Sequence, residues 1–362
     1  MIALWILFAV VFAMAAAILI LPLLVKRAIN RKLSNLDGYT GSIRSARIKL
    51  GKCSLVAHGV TIDKVTRNGI PIPFFTARGI GVKLNFRKLL KKHVEGVVVV
   101  EHGTFEMSKA PDSKAEKDPA AIPFNLRNSL AGMSPFCVDI FFKEAELRYV
   151  DHSGNEPVEV NVNHVDVQLL TLSNLASVSD CDIKITARLY DGSLALNMKL
   201  QPMALKTTFD MNADIRNINL ALLNPYLRNH VRLDVNTGTF NLFTEVACFD
   251  GKFEGYIKPM ITDLDVIGPQ DKGDSILRRA WEALVAFTYQ ILKNKAHDQV
   301  ASKIRIKGEL DNPHINVVSA VLSILKNGFI RGLTPSVEDV ISPDKIKKAV
   351  YRSKEWVGRI LS

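Results

Sequence analysis

The sequence has few of the residues that build catalytic and metal centres. Its four cysteines, Cys53, Cys137, Cys181 and Cys248, lie far apart, without the paired spacing of a zinc site or a redox motif. The histidines form no H-E-x-x-H pair, and the chain contains no P-loop and no G-x-S-x-G elbow. We therefore expect no enzyme activity, no metal and no cofactor, and we interpret the cysteines as buried free thiols.

Aromatic residues are also scarce, at 7% of the chain, although the formal net charge is +11. Positive charge alone would suit nucleic acid, anionic lipid headgroups or acidic polysaccharide. Proteins that bind single-stranded nucleic acid combine basic residues with stacking aromatic residues, and the sequence shows no such stripe. The composition therefore disfavours nucleic acid as a partner.

Charge is absent from one long segment, residues 2–25. A helix of that length would be roughly 36 Å long, which is enough to span a bilayer. The small residues at 13–17 suit a signal-peptide cleavage site, but the apolar run continues through residue 24, so we predict an uncleaved transmembrane anchor over residues 1–26. Basic residues follow the anchor, and the positive-inside rule taken literally would place the body of the protein in the cytoplasm.

Much of the remaining chain alternates apolar and polar residues with a period of two. The alternation over residues 158–267 predicts a sheet with one apolar and one polar face. No strong helical pattern lies within 147–267, so a second sheet, barrel closure or an apolar ligand must cover the apolar face. Representative residues of that face are Val160, Val162, Leu196, Met198, Phe209, Met211, Phe240 and Leu242.

Shorter signals divide the chain into five regions. We predict an anchor at 1–26, an N-terminal β region at 27–107, a linker or mobile loop at 108–121, the main sheet at 122–268, and helices with a strand pair at 269–362. Within them we predict a short helix inside 123–133, a bulge or a turn at His164, and turns at Asp191-Gly192, Thr237-Gly238 and Asp250-Gly251.

The three predicted C-terminal helices cover residues 274–293, 319–333 and 343–361. The last has one apolar face and a ring of basic residues that includes Lys347, Lys348, Arg352 and Lys354. Such a helix can lie on an anionic membrane surface, or it can dock on its own domain with a solvated basic face. The sequence leaves both alternatives open.

Several local patterns occur along the chain in the order found in a known family. They are IRSAR at 43–47, PFFTAR at 73–78, LNFRKLL at 84–90, AELRYVD at 145–151, LNPY at 223–226, GTF at 238–240, GELDNP at 308–313 and VLSILKNGFI at 321–330. Together with the anchor, they make the chain resemble the AsmA-like envelope proteins, in the branch of unknown function related to AsmA, TamB and YhdP. The family usually has basic residues before its anchor, and this chain has none there.

The resemblance implies an inner-membrane anchor, a periplasmic body and an elongated, curled antiparallel sheet like that of chorein-type bridge proteins. Phospholipid acyl chains would lie in its apolar groove, in support of outer-membrane lipid homeostasis. Long domains can be translocated against the charge bias, so the basic residues after the anchor do not rule out a periplasmic body. The alternative is a structural or adaptor protein of the envelope, with a closed β core, a protein partner and no lipid cargo.

Overall fold

The computed structural model describes residues 20–36, 38–49, 51, 53–66, 69–109, 126–152, 157–175, 177–178, 180–230, 234–267, 300–301 and 304–310. Most of the predicted anchor and loop and all three predicted C-terminal helices lie outside these residues, as do Lys347, Lys348, Arg352 and Lys354. Within the described ranges, no helix combines the length and the apolar character needed to cross a membrane.

The described chain is mainly β, and its thirteen strands belong to one sheet. They are β1 (Tyr39–Lys49), β2 (Ser54–Val65), β3 (Pro71–Leu84), β4 (Val94–Lys109), β5 (Phe136–Asp151), β6 (Val158–Ser173), β7 (Cys181–Leu189), β8 (Gly192–Leu200), β9 (Phe209–Asn219), β10 (Asp234–Phe249), β11 (Lys252–Ile267), β12 (Val300–Ala301) and β13 (Ile304–Glu309). The helical segments are α1 (residues 20–33), α2 (Phe86–Leu89), α3 (Leu126–Ala131), a 3-10 helix (Leu220–Leu223) and α4 (Asn224–His230).

The strands follow one another across the sheet in sequence order. β1 forms one edge, and the short strands β12 and β13 both pair with β11 at the other. β1 pairs with β2 and with no other described strand, so the described sheet is open and does not close into a barrel. Eleven inter-strand steps of about 4.8 Å give it a length of roughly 50 Å across the strands.

One pair of strands departs from the predicted antiparallel arrangement. β4 and β5 run parallel, from Val94 opposite Phe136 to Lys109 opposite Asp151. Parallel neighbours need a connection of a dozen or more residues, and the chain between Lys109 and Phe136 is of that length. The sequence carried a signal of this pair, because residues 97–100 are four valines in a row and parallel strands read as continuous apolar runs.

The predicted turns have different outcomes. The chain does reverse at Asp191-Gly192 and at Asp250-Gly251, and α3 lies inside the predicted 123–133 helix. The turn predicted at Thr237-Gly238 was wrong, because both residues lie inside β10, where the pairing with β11 shifts register twice. A local register shift without a chain reversal is a bulge, and the sequence signal of a glycine does not distinguish the two.

Two asparagine side chains complete the backbone pairing where a strand lacks a neighbour. The Ile43 N–H donates to Asn30 Oδ1 of α1 at 2.8 Å. The Val235 N–H donates to Asn224 Oδ1 of α4 at 2.9 Å, and Asn224 Nδ2 donates to the Val235 carbonyl at 2.8 Å. Because an unpaired buried backbone group costs about as much as a lost hydrogen bond, these amides fix both helices against the sheet.

We expect Asn224→Ala to lower the free energy of unfolding by about 1–3 kcal/mol, since it leaves a buried donor and acceptor of Val235 without partners. The matched control is Asn197→Ala, whose amide donates only to the exposed Asn212 at 3.2 Å and should cost less than about 0.5 kcal/mol. Urea unfolding of both variants measures the difference. Equal losses of unfolding free energy in the two variants would show that the hydrogen bonds between Asn224 and Val235 do not hold α4 in place.

Candidate functional site

The apolar side chains form one continuous face across the sheet. Side chains of directly paired residues point to the same side, and the pairs can be followed from strand to strand. They include Ile43 with Val60, Val60 with Ala77, Val100 with Phe142, Val162 with Leu189, Ile185 with Leu196, Met198 with Met211 and Ile215 with Leu242. We call this side the apolar face, and all eight residues named from the sequence lie on it.

Bulges keep the apolar face in phase. Val162 pairs with Leu147, and Val165, only three positions later, pairs with Ala145 on the same face. The extra residue is His164, which has a φ of 50° at a register shift between β6 and β7. The predicted bulge at His164 is therefore confirmed, and it is needed because strict alternation would send Val165 to the polar face.

The apolar face is covered at its proximal end, near β1. Ile29 and Leu33 of α1 pack there against a buried group that we call the proximal cluster: Ile43, Ala57, Val60, Phe75, Ala77 and Val100. Ring contacts extend the group along the face, since the centroid of Phe105 lies 4.7 Å from that of Phe75 and 6.1 Å from that of Phe142. This end of the face is an ordinary hydrophobic core.

A second buried group covers the distal end, from β8 to β11. Leu220 and Leu223 of the 3-10 helix and Leu227 of α4 pack onto this distal cluster. Its members on the sheet include six of the eight predicted groove residues, Leu196, Met198, Phe209, Met211, Phe240 and Leu242, which are at most 7% exposed. In the described structure these six side chains contact other side chains of the protein.

Between the two clusters the apolar face remains accessible. The residues of this central strip lie on β4, β5 and β6, and each is half-buried and belongs to neither cluster: Val98, Ile140, Leu147, Val160, Val162, Val165, Val167 and Leu169. Val160 and Val162 are the two remaining predicted residues. The strip is about 10 Å wide at 4.8 Å per strand, and from Val160 to Leu169 on β6 it is about 30 Å long at 3.3 Å per residue.

The central strip can make only one kind of contact. Its eight side chains are all aliphatic, so they can bind hydrocarbon by the hydrophobic effect and by dispersion but offer no donor, acceptor or nucleophile. Tyr149, which pairs with Val160 on the same face, brings a hydroxyl beside them. In the part of the chain that the structure describes, no group of three or more His, Cys, Asp or Glu side chains is placed to hold a metal ion. The strip is therefore a candidate surface for binding hydrocarbon.

Comparison with protein-family profiles and with curated proteins finds no match for this chain. A function therefore has to be argued from the open sheet, the two covered ends and the accessible strip between them. Sequence reasoning missed the strip residues on β4 and β5, Val98, Ile140 and Leu147. Their signal was present, because residues 136–142 read FCVDIFF and alternate like the later strands.

Two leucines on the apolar face allow a matched test of whether the central strip is less tightly packed than the distal cluster. Leu242 is 1% exposed in the distal cluster, whereas Leu169 is half-buried in the central strip. Leu242→Ala should lower the free energy of unfolding by about 3–5 kcal/mol, because it leaves a cavity, and Leu169→Ala should cost about 1 kcal/mol, since water or a ligand can fill the space. Urea unfolding measures both, and equal losses would mean that the strip is closed core.

All four cysteines are free thiols, but the predicted burial is confirmed only for Cys181 and Cys248, because Cys53 and Cys137 are half-buried. Desolvation raises the pKa of Cys181 to about 11 and that of Cys248 to about 11. The raised pKa keeps the thiol protonated, so at pH 8 about one thiol in a thousand is the reactive thiolate. Iodoacetamide should leave both residues unmodified at pH 8 until urea unfolds the chain, as mass spectrometry of peptides would record. Rapid labelling of the folded protein would contradict the buried placement.

Proposed function

We propose that this chain is a membrane-anchored, AsmA-like periplasmic protein that holds or conducts phospholipid acyl chains and so contributes to outer-membrane lipid homeostasis. The observation that carries the proposal is the central strip, an accessible aliphatic surface on an open sheet. A monomer rarely leaves a large apolar patch exposed unless the patch binds something. The order of AsmA-like patterns along the sequence supports the same assignment.

The energetics suit a lipid. A two-tailed lipid has about 30 methylenes, and exposing them to water costs on the order of 20 kcal/mol at about 0.8 kcal/mol per methylene. An aliphatic surface removes much of that barrier by replacing water around the tails. Binding of this kind needs no nucleophile or metal, and the strip offers neither.

The proximal end suits a membrane. On α1, Ile20, Leu23 and Leu24 are 50%, 59% and 52% exposed, which is high for large apolar side chains. They continue the apolar segment predicted to be the anchor, and Leu33 on the same helix packs on the proximal cluster. We infer that α1 holds the sheet next to the inner membrane, with the central strip three to five strands away from β1. With a length of roughly 50 Å across its strands, the sheet would pass lipid to a further envelope protein.

A second candidate is a structural or adaptor protein without lipid. One observation favours it, since six of the eight predicted groove residues are packed in the distal cluster. In that case the central strip would be the docking surface for a protein partner. A stoichiometric protein partner in pull-downs, together with a purified chain that carries no lipid, would support this candidate.

The test compares two adjacent residues on opposite faces. Val167 belongs to the central strip and Gln168 is exposed on the polar face. The full chain is purified in mild detergent, and bound lipid is extracted and identified by mass spectrometry. The Val167→Lys variant should retain less than half of the phospholipid that wild type carries, because a charge on the strip opposes contact with acyl chains. The Gln168→Lys variant should carry as much phospholipid as wild type.

Circular dichroism and thermal melting establish that both variants are folded. Met198 and Phe209 are unsuitable for this test, because they are 7% and 3% exposed and a buried lysine there would unfold the distal cluster. Wild-type protein that carries no more lipid than a detergent blank, or a Val167→Lys variant that carries as much as wild type, would contradict the proposal.

A further inference from the structure

A cavity of about 420 Å³ opens on the polar side of the sheet, at a step in its rim. β7 ends at Leu189, opposite Val162, whereas β6 begins four residues earlier at Val158. Beyond the end of β7, the hydroxyl of Tyr190 donates to the Glu159 carbonyl at 3.0 Å and holds the β7–β8 turn against the projecting part of β6. The cavity lies beside this turn.

Three residues with a positive φ, on adjacent strands, line the cavity. His102 on β4, Glu144 on β5 and His164 on β6 have φ values of 48°, 51° and 50°. A positive φ is uncommon for residues other than glycine and carries a conformational cost. His164 Nδ1 lies 2.7 Å from Glu144 Oε2, so two of the three side chains are already joined.

Two opposite charges of the cavity lack a partner. In the described part of the chain, neither the guanidinium of Arg188 nor the carboxylate of Asp191 makes an ion pair or a hydrogen bond, although both line the cavity. The other two carboxylates are engaged: Glu146 accepts from Arg148 Nη2 at 2.9 Å, and Glu144 contacts His164. The lining thus offers one guanidinium and one carboxylate that can each bind a ligand group.

The charged side chains that line the cavity favour a ligand that carries both a positive and a negative group. Apart from its two imidazoles, the lining has one guanidinium against three carboxylates, a balance that disfavours a compact polyanion. A simple cation would leave Arg188 unpaired. A zwitterion with an anionic and a cationic group a few bonds apart satisfies both, and Arg188 suits a phosphate because its planar fork can donate two parallel hydrogen bonds.

The cavity borders the apolar face. Leu189 and Tyr190 line it and also pack against the distal cluster, and Leu189 is paired with Val162 of the central strip. A molecule with a polar head in the cavity and apolar tails could therefore extend over the rim onto the strip. This continuity is what relates a small polar cavity to an aliphatic surface on the other side of the sheet.

We propose that the cavity binds the zwitterionic headgroup of an ethanolamine phospholipid, with the phosphate on Arg188 and the ammonium on Asp191. The inference rests on the proposed function, since the tails would lie on the central strip. It adds a preference among lipid classes, because an anionic glycerol headgroup has no ammonium for Asp191.

The test uses water-soluble headgroups, so that it does not depend on the strip. Full-length protein in detergent is titrated calorimetrically with glycerophosphoethanolamine, glycerophosphoglycerol and inorganic phosphate. Glycerophosphoethanolamine should bind at least about tenfold more tightly than the other two probes, and Arg188→Gln should weaken it about tenfold by removing a charge-assisted pair. Lys184→Gln, at an exposed residue of the same strand outside the cavity, is the control and should bind like wild type.

A second variant tests the cationic half. Asp191→Asn should remove the preference for glycerophosphoethanolamine over glycerophosphoglycerol, whereas a merely structural role of Asp191 would lower both affinities together. Equal affinity for all three probes, no binding, or unchanged binding by Arg188→Gln would overturn the inference. A chain that carries lipid but binds no headgroup probe refutes only the cavity assignment. A chain that binds the probe but carries no lipid refutes the lipid-handling function and leaves the cavity as a site for a soluble zwitterion.

Discussion

Every feature of the sheet depends on keeping its apolar side chains in phase from strand to strand. A slip of one residue would move a whole set of side chains to the opposite face, and long twisted strands need occasional extra residues. The chain absorbs them at register shifts that lie beside residues with positive φ, namely Glu144, His164 and Asp263. These bulges keep one face aliphatic over the full sheet, and they also create the polar cavity at the rim.

The cover over the apolar face is uneven, and this unevenness separates core from candidate site. At the proximal end α1 supplies Ile29 and Leu33, and at the distal end the 3-10 helix and α4 supply Leu220, Leu223 and Leu227. The residues of the central strip belong to neither of these helix-covered clusters. The two ends account for stability, because fully buried leucines contribute most, and the strip between them is available for a ligand.

The sequence predicted the alternation well and the cover poorly. Period-two patterns identified the common face of Val160 and Phe240, because alternation is a local property of each strand. Whether a side chain on that face is buried depends on which helix packs over it, and this is not local: Phe240 is 0% exposed while Val160 is half-buried. The parallel pair was missed for a related reason, since strand direction is set by the length of a connection that alternation does not report. The polar cavity was missed altogether, because its residues come from β4, β5, β6 and the turn after β7 and share no spacing in the sequence.

The most direct test of the central claim places a photoreactive amino acid at single positions in the living cell. Adjacent residues on β6 provide the comparison: Val162 and Val167 on the apolar face, Asn161 and Gln168 on the polar face. Acyl chains on the strip predict lipid adducts at Val162 and Val167 and none at their neighbours. Adducts to protein alone at Val162 and Val167, or equal lipid labelling on both faces, would contradict the claim that the open side of the sheet carries lipid.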